Sequence, residues 1–210
     1  MAERFQHRSV AEQRSLFMCM DLLKRDRFAN LHATLFPTAD EQDRFRSLVV
    51  NSVLATDIVD KDLKELRNGR WDDAFAECRR RESEEVTVNR KATIVIEHLI
   101  QASDVAHTMQ HWNVYCKWNK RLLQEMYLAY IQGRSETDPT VNWAKGEIGF
   151  FDFYVIPLAK KLKDCRVFGV SSDEYLNYAL ANRRKWEIEG PTVVAEAIEH
   201  IINNGASMPV

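Results

Sequence analysis

The chain has 210 residues, of which 45% are hydrophobic and 29% are charged, and its formal net charge at pH 7 is -2. This composition is that of a globular protein large enough to bury a core, and we expect one domain over residues 1–210. The near-neutral charge excludes the basic surface typical of nucleic-acid binding. No apolar run approaches the roughly 20 residues that a membrane span needs.

The cysteines and the first residues predict the compartment. The chain has 4 cysteines, which are widely spaced and form no CxxC pair: Cys19, Cys78, Cys116 and Cys165. They lie in apolar helical contexts, which favours reduced thiols. The first residues, Met1 to Arg4, are polar and show no secretory signal. We therefore expect a cytoplasmic protein.

The first half of the chain has long helical periodicities and little glycine or proline, which predicts an all-α fold. Thr38 or Asp40 is expected to cap the second helix. In the predicted helix over 87–103, apolar side chains surround most of the circumference, which is typical of a buried helix. In chain order we predict a helix over 9–24, a helix from about 38 to 56, a short amphipathic helix over 61–67, a charged connector over 79–86, and a helix over 87–103.

The second half continues the helical pattern. The segment from Gly133 to Thr140 has the composition of a loop. Pro157 is expected to kink or restart the helix that contains it, and Pro191 to end the helix before it. Ser171 or Ser172 is expected to cap the N-terminus of the helix that Pro191 ends. The predicted helices cover residues 110–131, 141–163, 171–190 and 192–202.

Two aspartates are candidates for metal chemistry. Asp104 lies in a small-residue segment at the end of an apolar helix, and hard divalent cations prefer carboxylate oxygen. The alternative is a turn carboxylate that accepts hydrogen bonds from backbone N–H groups. Asp57 ends a predicted helix, where the helix dipole disfavours a negative charge, so a partner is expected. Its alternative is a turn-forming role, helped by Asp60.

Two histidines give a weaker metal signal. His107 and His111 are four residues apart, so on a helix they would share one face. The alternative is a pair of surface or half-buried histidines near a helix start.

Glu147 and Phe150 are candidates for binding a flat heterocycle, because they offer one polar and one aromatic contact close together. An ionised carboxylate only accepts hydrogen bonds, so this polar contact needs a hydrogen-bond donor on the ligand. Phe150 is alternatively a core residue, and two of the three phenylalanines at 150, 151 and 153 are expected in the core. Leu122 and Met126 share a helix face with Trp118, and they form either a pocket wall or core.

The order and spacing of these segments resemble the C-terminal half of the class I cyclic-nucleotide phosphodiesterases. The resemblance covers nearly the whole chain. The matching segments are Phe5–Glu12 for Y-N-D-x-S-V-L-E, Leu54–Asp57 for L-A-T-D, Ala102–His107 for A-D-[LIV]-[SA]-[NH], Tyr115 with Trp118, Trp118 with Glu125 for W-x(6)-E, and Glu147–Asp152, closed by Pro157, for Q-x-G-F-[IF]-D.

The resemblance implies a fold, a ligand and roles for individual residues. The fold is a compact helical domain of the HD-domain superfamily type, here a partial catalytic domain lacking its N-terminal helices. The substrate is cAMP or cGMP, and the cofactors are two divalent ions, Zn with Mg or Mn. The implied roles are Asp104 as metal ligand, Asp57 as the residue that orders metal-bound water, Phe150 stacking on the base, Glu147 selecting it, and His107, Leu122 and Met126 as further substrate contacts.

Departures from the family limit what the resemblance implies. The H-x(3)-H and H-D motifs, which carry three of the four protein metal ligands, have no counterpart, and neither has the histidine general acid. Glu147 replaces the family glutamine. Because an ionised carboxylate only accepts hydrogen bonds, this replacement favours guanine, or no purine at all. We therefore expect weak or absent metal binding and no activity from this chain alone. The alternative is a non-catalytic helical module that binds a partner protein, forms a homo-oligomer, or pairs with its missing N-terminal half or a full-length phosphodiesterase.

Overall fold

A computed structural model describes residues 2–75, 84–166, 168–169 and 172–203. Every regular element within these ranges is helical, which confirms the all-α prediction. No helix in them is both long and apolar enough to cross a membrane. Cys78, Ser171 and most of the predicted connector lie outside the described residues. The chain divides into two compact units, one up to Asp104 and one from Val105 onward, which are described separately.

The first unit contains the helices α1 to α5. They are α1 Val10–Leu23, α2 Ala29–Leu35, α3 Ala39–Ala55, α4 Lys61–Phe75 and α5 Glu84–Asp104. Thr38 caps α3, as predicted: its hydroxyl accepts from the backbone N–H of Glu41 at 3.2 Å, and the Glu41 carboxylate accepts from the backbone N–H of Thr38 at 3.1 Å. This reciprocal pair satisfies two N–H groups that a helix start leaves free.

A buried carboxylate joins α4 and α5. Glu97 on α5 is 2% exposed, and Arg70 on α4 lies 2.9 Å from its Oε1 atom. Burial raises the pKa of Glu97, and the positive charge of Arg70 opposes that rise. Not all of the apolar circumference of α5 is buried as predicted, because Ile96 and Ile100 are 42% and 38% exposed.

The second unit contains the helices α6 to α9. They are α6 Trp112–Ile131, α7 Trp143–Phe150, α8 Ile156–Asp164 and α9 Ser172–Asn203. The long helix α9 packs against α6, α7 and α8. Its Asn182 is 1% exposed and donates from Nδ2 to the backbone carbonyls of Thr108 and Gln110, at 3.0 and 2.8 Å. The chain before α6 is thereby fixed to α9.

A turn of π-helix separates α7 from α8. The turn covers Phe151–Val155, and the backbone N–H of Ile156 bonds to the carbonyl of Phe151, five residues earlier. Pro157 follows in the first turn of α8. Proline has no N–H and its ring collides with the carbonyl four residues earlier, so inside a helix it favours a kink or a break. The predicted restart at Pro157 is confirmed.

The prediction that Pro191 ends a helix is wrong, because α9 runs through it. The preceding residue, Gly190, lies against neighbouring groups so closely that a Cβ atom there would be 2.9 Å from the Trp186 ring and 3.1 Å from the Cβ of Ala144 on α7. This close packing holds the backbone of α9 at Gly190 against α7. We infer that it offsets the loss of the backbone hydrogen bond that Pro191 cannot donate.

Candidate functional site

Glu147 lies at the end of a chain of hydrogen bonds in the second unit. Its Oε2 atom accepts from the Tyr115 hydroxyl at 2.5 Å. Helical spacing brings the participants together: Tyr115 and Asn119 are one turn apart on the buried face of α6, and Trp143 and Glu147 are one turn apart on α7. Trp186 joins them from α9.

The remaining hydrogen bonds all lead toward Tyr115. The Trp143 indole N–H donates to Asn119 Oδ1 at 2.9 Å, and Asn119 Nδ2 donates to the Tyr115 hydroxyl at 3.3 Å. The Trp186 indole N–H donates to the same hydroxyl at 2.5 Å. Tyr115 and Trp186 are each 1% exposed and Asn119 is 3% exposed, so water does not compete for these bonds.

Burial changes the protonation behaviour of the two acidic groups. Burial raises the pKa of Glu147, while hydrogen bonds from Tyr115 and Asn119 act in the opposite direction. The pKa of Tyr115 is raised far above its usual range, by burial first and then by the charge of Glu147. Tyr115 therefore stays protonated at neutral pH, and its hydroxyl can donate a hydrogen bond to Glu147.

The other substrate candidates of this unit differ in exposure. Phe150 is half-buried, and its ring stacks on that of Tyr154 with centroids 5.3 Å apart and planes at 14°. Leu122 and Met126 are each 44% exposed beside Trp118, which is 49% exposed. The core alternative for Leu122 and Met126 is therefore wrong, and their role as a pocket wall stays a prediction.

Only one of the three neighbouring phenylalanines is fully buried. Phe151 is 0% exposed, Phe150 is half-buried, and Phe153 is 75% exposed. The expectation of two core residues was wrong, because Phe150 is only half-buried and Phe153 leaves the helix on the side opposite the buried Phe151.

The two histidines do not share a helix face. His107 lies in a 3-10 turn over Ala106–Met109, half-buried, with its ring nearly parallel to that of Tyr115 at 6.2 Å. His111 is the exposed N-cap of α6, where its Nδ1 atom accepts from the backbone N–H of Asn113 at 3.3 Å. The alternative of half-buried and surface histidines is confirmed, and His107 as a substrate contact stays a prediction.

Asp104 and Asp57 belong to the first unit. Asp104 is the last residue of α5 and is exposed. Within the described ranges no three His, Cys, Asp or Glu side chains are grouped so that they could hold a metal ion. Protein sites for zinc use three or more side-chain ligands, so one exposed carboxylate does not fit the two-ion cofactor of the resembled family. Asp104 as a metal ligand stays a prediction.

Asp57 forms the turn between α3 and α4. Its Oδ1 atom accepts from the backbone N–H groups of Val59 and Asp60 at 3.0 and 3.1 Å, and its Oδ2 atom accepts from the Ser9 hydroxyl at 2.7 Å. Burial alone would raise the pKa of Asp57, but these three hydrogen bonds outweigh it and the pKa is lowered. The turn-forming role is confirmed, while the ordering of metal-bound water stays a prediction.

We expect Asp57→Ala to lower the free energy of unfolding at pH 7 by about 2 kcal/mol, because three donors lose a charged acceptor. Asp104→Ala is the control and should change it by less than about 0.5 kcal/mol, since that side chain is exposed. A carboxylate with a lowered folded pKa stabilises the fold above its unfolded pKa, and this contribution is lost as pH falls through the folded pKa. Urea denaturation at pH 7 and pH 3 measures both effects, and a gap between Asp57→Ala and the unaltered chain that does not shrink at pH 3 would contradict the account.

Sequence reasoning missed three members of the chain of hydrogen bonds: Asn119, Trp143 and Trp186. The first two had a usable signal, because each is four residues from a residue already singled out, Tyr115 and Glu147 respectively. Trp186 had none, because it reaches Tyr115 from 71 residues away.

The family model and the similar proteins that match this chain are all described as cyclic-nucleotide phosphodiesterases. The model of the family described as 3'5'-cyclic nucleotide phosphodiesterase matches residues 1–169. The probable 3',5'-cyclic phosphodiesterase pde-1 of Caenorhabditis elegans is 29% identical over 168 residues, which cover 73% of this chain and 22% of that protein. The dual specificity calcium/calmodulin-dependent 3',5'-cyclic nucleotide phosphodiesterase 1B of Bos taurus is 25% identical over 173 residues, 76% of this chain and 29% of that protein. The chain thus spans less than a third of each.

A solved structure shows the same fold. The phosphodiesterase domain of the Salpingoeca rosetta rhodopsin phosphodiesterase superposes with a TM-score of 0.66 at 20% identity, covering 97% of this chain and 60% of that one. At this identity the similarity bears on the fold alone.

Proposed function

This chain belongs to the 3'5'-cyclic nucleotide phosphodiesterase family, and from that membership we propose that it recognises the purine of a 3',5'-cyclic nucleotide through Glu147 and Phe150. The observation that carries the proposal is the buried chain of hydrogen bonds that ends on Glu147. Tyr115 donates directly to the half-buried Glu147 carboxylate, and Asn119, Trp143 and Trp186 support Tyr115 through further hydrogen bonds. A solvated surface carboxylate does not need such support. Such preorganised polar groups are typical of ligand sites.

In this proposal the remaining residues have simple roles. The Phe150 ring, whose one face stacks on Tyr154, offers its other face to the base. The exposed side chains of Leu122 and Met126 contact apolar parts of the nucleotide, and His107 contacts its polar groups. In the first unit, taken by itself, Asp104 is proposed as a single metal ligand and Asp57 as a carboxylate that orders metal-bound water. Because one carboxylate cannot fix two ions, we assign no hydrolytic step to this chain.

Equilibrium binding tests the proposal. Cyclic AMP and cyclic GMP carrying a fluorescent label on the ribose leave the base edge free, and titration of the chain should saturate with at least one of them. Phe150→Ala should weaken that binding by about 5- to 150-fold, because stacking of a base on an aromatic ring contributes about 1–3 kcal/mol. Phe153→Ala, at a 75% exposed site, is the control and should leave binding unchanged. Failure of both nucleotides to bind would overturn the proposal.

We expect the 210-residue chain to hydrolyse neither cAMP nor cGMP measurably, with or without added zinc, magnesium or manganese. Metal ions supply the activated water and the charge stabilisation in two-metal phosphodiester hydrolysis, and the described residues offer no group that could hold them. Product detection by chromatography, against a no-protein control, checks this. Metal-dependent turnover that Asp104→Ala abolishes would contradict it.

The alternative function is a non-catalytic module that docks on a partner. The exposed apolar side chains of α6, which are Trp118, Leu122 and Met126, favour it, because contiguous exposed apolar surface is a mark of an interaction site. A hydrophobic dye and light scattering separate the two functions. If these side chains form a nucleotide wall, cyclic nucleotide should displace the dye from a monomer. Self-association that reverses on Leu122→Ser, with no effect of nucleotide, would support the module instead.

A further inference from the structure

We propose that a cavity in the first unit binds a small aromatic carboxylate. The cavity has a volume of about 210 Å³ and lies between the end of α1, the end of α2 and the start of α3. All of its lining residues belong to the unit that ends at Asp104. The proposal therefore concerns a different site from the proposed purine site and does not depend on it.

The apolar wall of the cavity is largely aromatic. The Phe36 ring, which is 8% exposed, contacts two other rings. His32 meets it nearly edge to face, with centroids 4.9 Å apart and planes at 75°, and Phe45 lies 4.6 Å away at 51°. The half-buried side chains of Met20 and Leu23 complete the wall. Aromatic rings prefer such edge and tilted contacts, so this wall favours a further ring as its ligand.

A hydrogen bond orders one side of this wall. The side-chain nitrogen of Gln42 on α3 lies 3.0 Å from Nε2 of His32 on α2. This bond links the two helices beside the cavity and restricts rotation of the imidazole ring. A wall that is ordered before the ligand arrives lowers the entropic cost of binding.

Charged side chains also line the cavity and define the sign of the ligand. Lys24, Asp43 and Arg46 are exposed, and among the described residues none of their side chains has an ion pair or a hydrogen bond. Two positive charges and one negative charge leave a single net positive charge, which favours a ligand with one negative charge. The planar fork of Arg46 matches a carboxylate, whereas a doubly charged phosphate would exceed the charge that is available.

The volume limits the size of the ligand. An apolar cavity of about 150 Å³ holds a benzene molecule. The larger cavity described above therefore accommodates one aromatic ring with a short carboxylate chain. A cyclic nucleotide adds a ribose and a phosphate to a two-ring base and is too large for it.

A nuclear magnetic resonance titration of the nitrogen-15-labelled chain at pH 7 tests the proposal. The probes are 3-phenylpropionate and its neutral amide, 3-phenylpropanamide, which has nearly the same shape. We expect 3-phenylpropionate to saturate with a dissociation constant in the low-millimolar range or below, as for other ligands of about ten non-hydrogen atoms. The shifted signals should include the backbone amides of Phe36 and Phe45 and the side-chain amide of Gln42. The neutral amide should bind about 2- to 30-fold more weakly, the range for losing two exposed ion pairs.

Substitutions of exposed charged residues test the role of each charge. Lys24→Gln combined with Arg46→Gln should weaken 3-phenylpropionate binding by the same factor of about 2 to 30 and leave the neutral amide unaffected. Asp43→Asn should strengthen carboxylate binding by up to about 5-fold, because it removes a repulsion. Arg44→Gln is the matched control and should change neither constant, since Arg44 is an exposed arginine on the same helix that does not line the cavity and donates to Asn89 Oδ1 at 3.2 Å.

The outcomes that would overturn the proposal are distinct from those for the purine site. Lack of saturation, or shifted signals confined to residues after Asp104, would mean that the cavity is not the site. Equal binding of the two probes, or an equal effect of Arg44→Gln and Arg46→Gln, would overturn the assignment of a carboxylate. Phe150→Ala should leave 3-phenylpropionate binding unchanged, and a loss of binding in that variant would likewise overturn the proposal.

Discussion

Phe151→Ala is expected to lower the free energy of unfolding by about 3–5 kcal/mol, the range for removing a buried aromatic side chain. Phe151 is 0% exposed, and its ring meets that of Tyr115 edge to face with centroids 5.4 Å apart. The loss combines the transfer of the ring from the core, the cavity that it leaves, and the lost aromatic pair. Denaturation in guanidinium chloride, followed by circular dichroism, measures it.

Phe153→Ala provides a control with the same chemistry two residues away. Phe153 is 75% exposed, so its removal should change the free energy of unfolding by no more than about 0.5 kcal/mol. The pair also tests which side of the helix is packed, because residues two apart point to nearly opposite sides of a helix. Similar losses in the two variants would mean that residue 153 is packed and would contradict its described exposure.

Gly190→Ala is expected to destabilise the fold by about 1–3 kcal/mol, although alanine is ordinarily the better residue in a helix. A new Cβ would lie 2.9 Å from the ring of Trp186, which is buried, and 3.1 Å from the Cβ of Ala144. Neither neighbour is the free end of a flexible side chain, so α7 and α9 must move apart. The shift should also change the fluorescence of Trp186, whose indole N–H bonds to Tyr115.

Gly69→Ala is the matched control in the interior of α4. A Cβ there would meet nothing within 4 Å, so only the helix preference remains. We expect it to stabilise the fold by up to about 1 kcal/mol. The two substitutions are chemically identical and should have opposite signs in the same denaturation experiment. A stabilising Gly190→Ala would show that α7 and α9 are not in close contact at this point.

Local rules predicted the features of the fold that depend on neighbouring residues. The Thr38 cap of α3 needs only Glu41, three residues on, and the restart at Pro157 follows from its missing N–H. Pro191 has the same missing N–H and gave a wrong prediction. Its outcome depended on contact between Gly190 and α7, which a local pattern does not contain.

The candidate site shows the same division between local and distant information. The resemblance to a family identified Glu147, and helical spacing could have added Asn119 and Trp143. The chain of hydrogen bonds also includes Trp186, which belongs to another helix, α9, and is distant in sequence. The spacing of His107 and His111 was misleading, because the backbone between them leaves the helical path before the N-cap of α6.

The position of α9 has a consequence for how a protein of this kind is delimited. Similarity to the family model stops at residue 169, and α9 begins only at Ser172. Yet Trp186 and Asn182 are each 1% exposed and hold groups that lie within the matched stretch. A chain ended after Gly169 would retain the whole stretch that the family model matches and would lose Trp186 and Asn182 from its core. The border of the matched stretch therefore differs from the border of the packed unit.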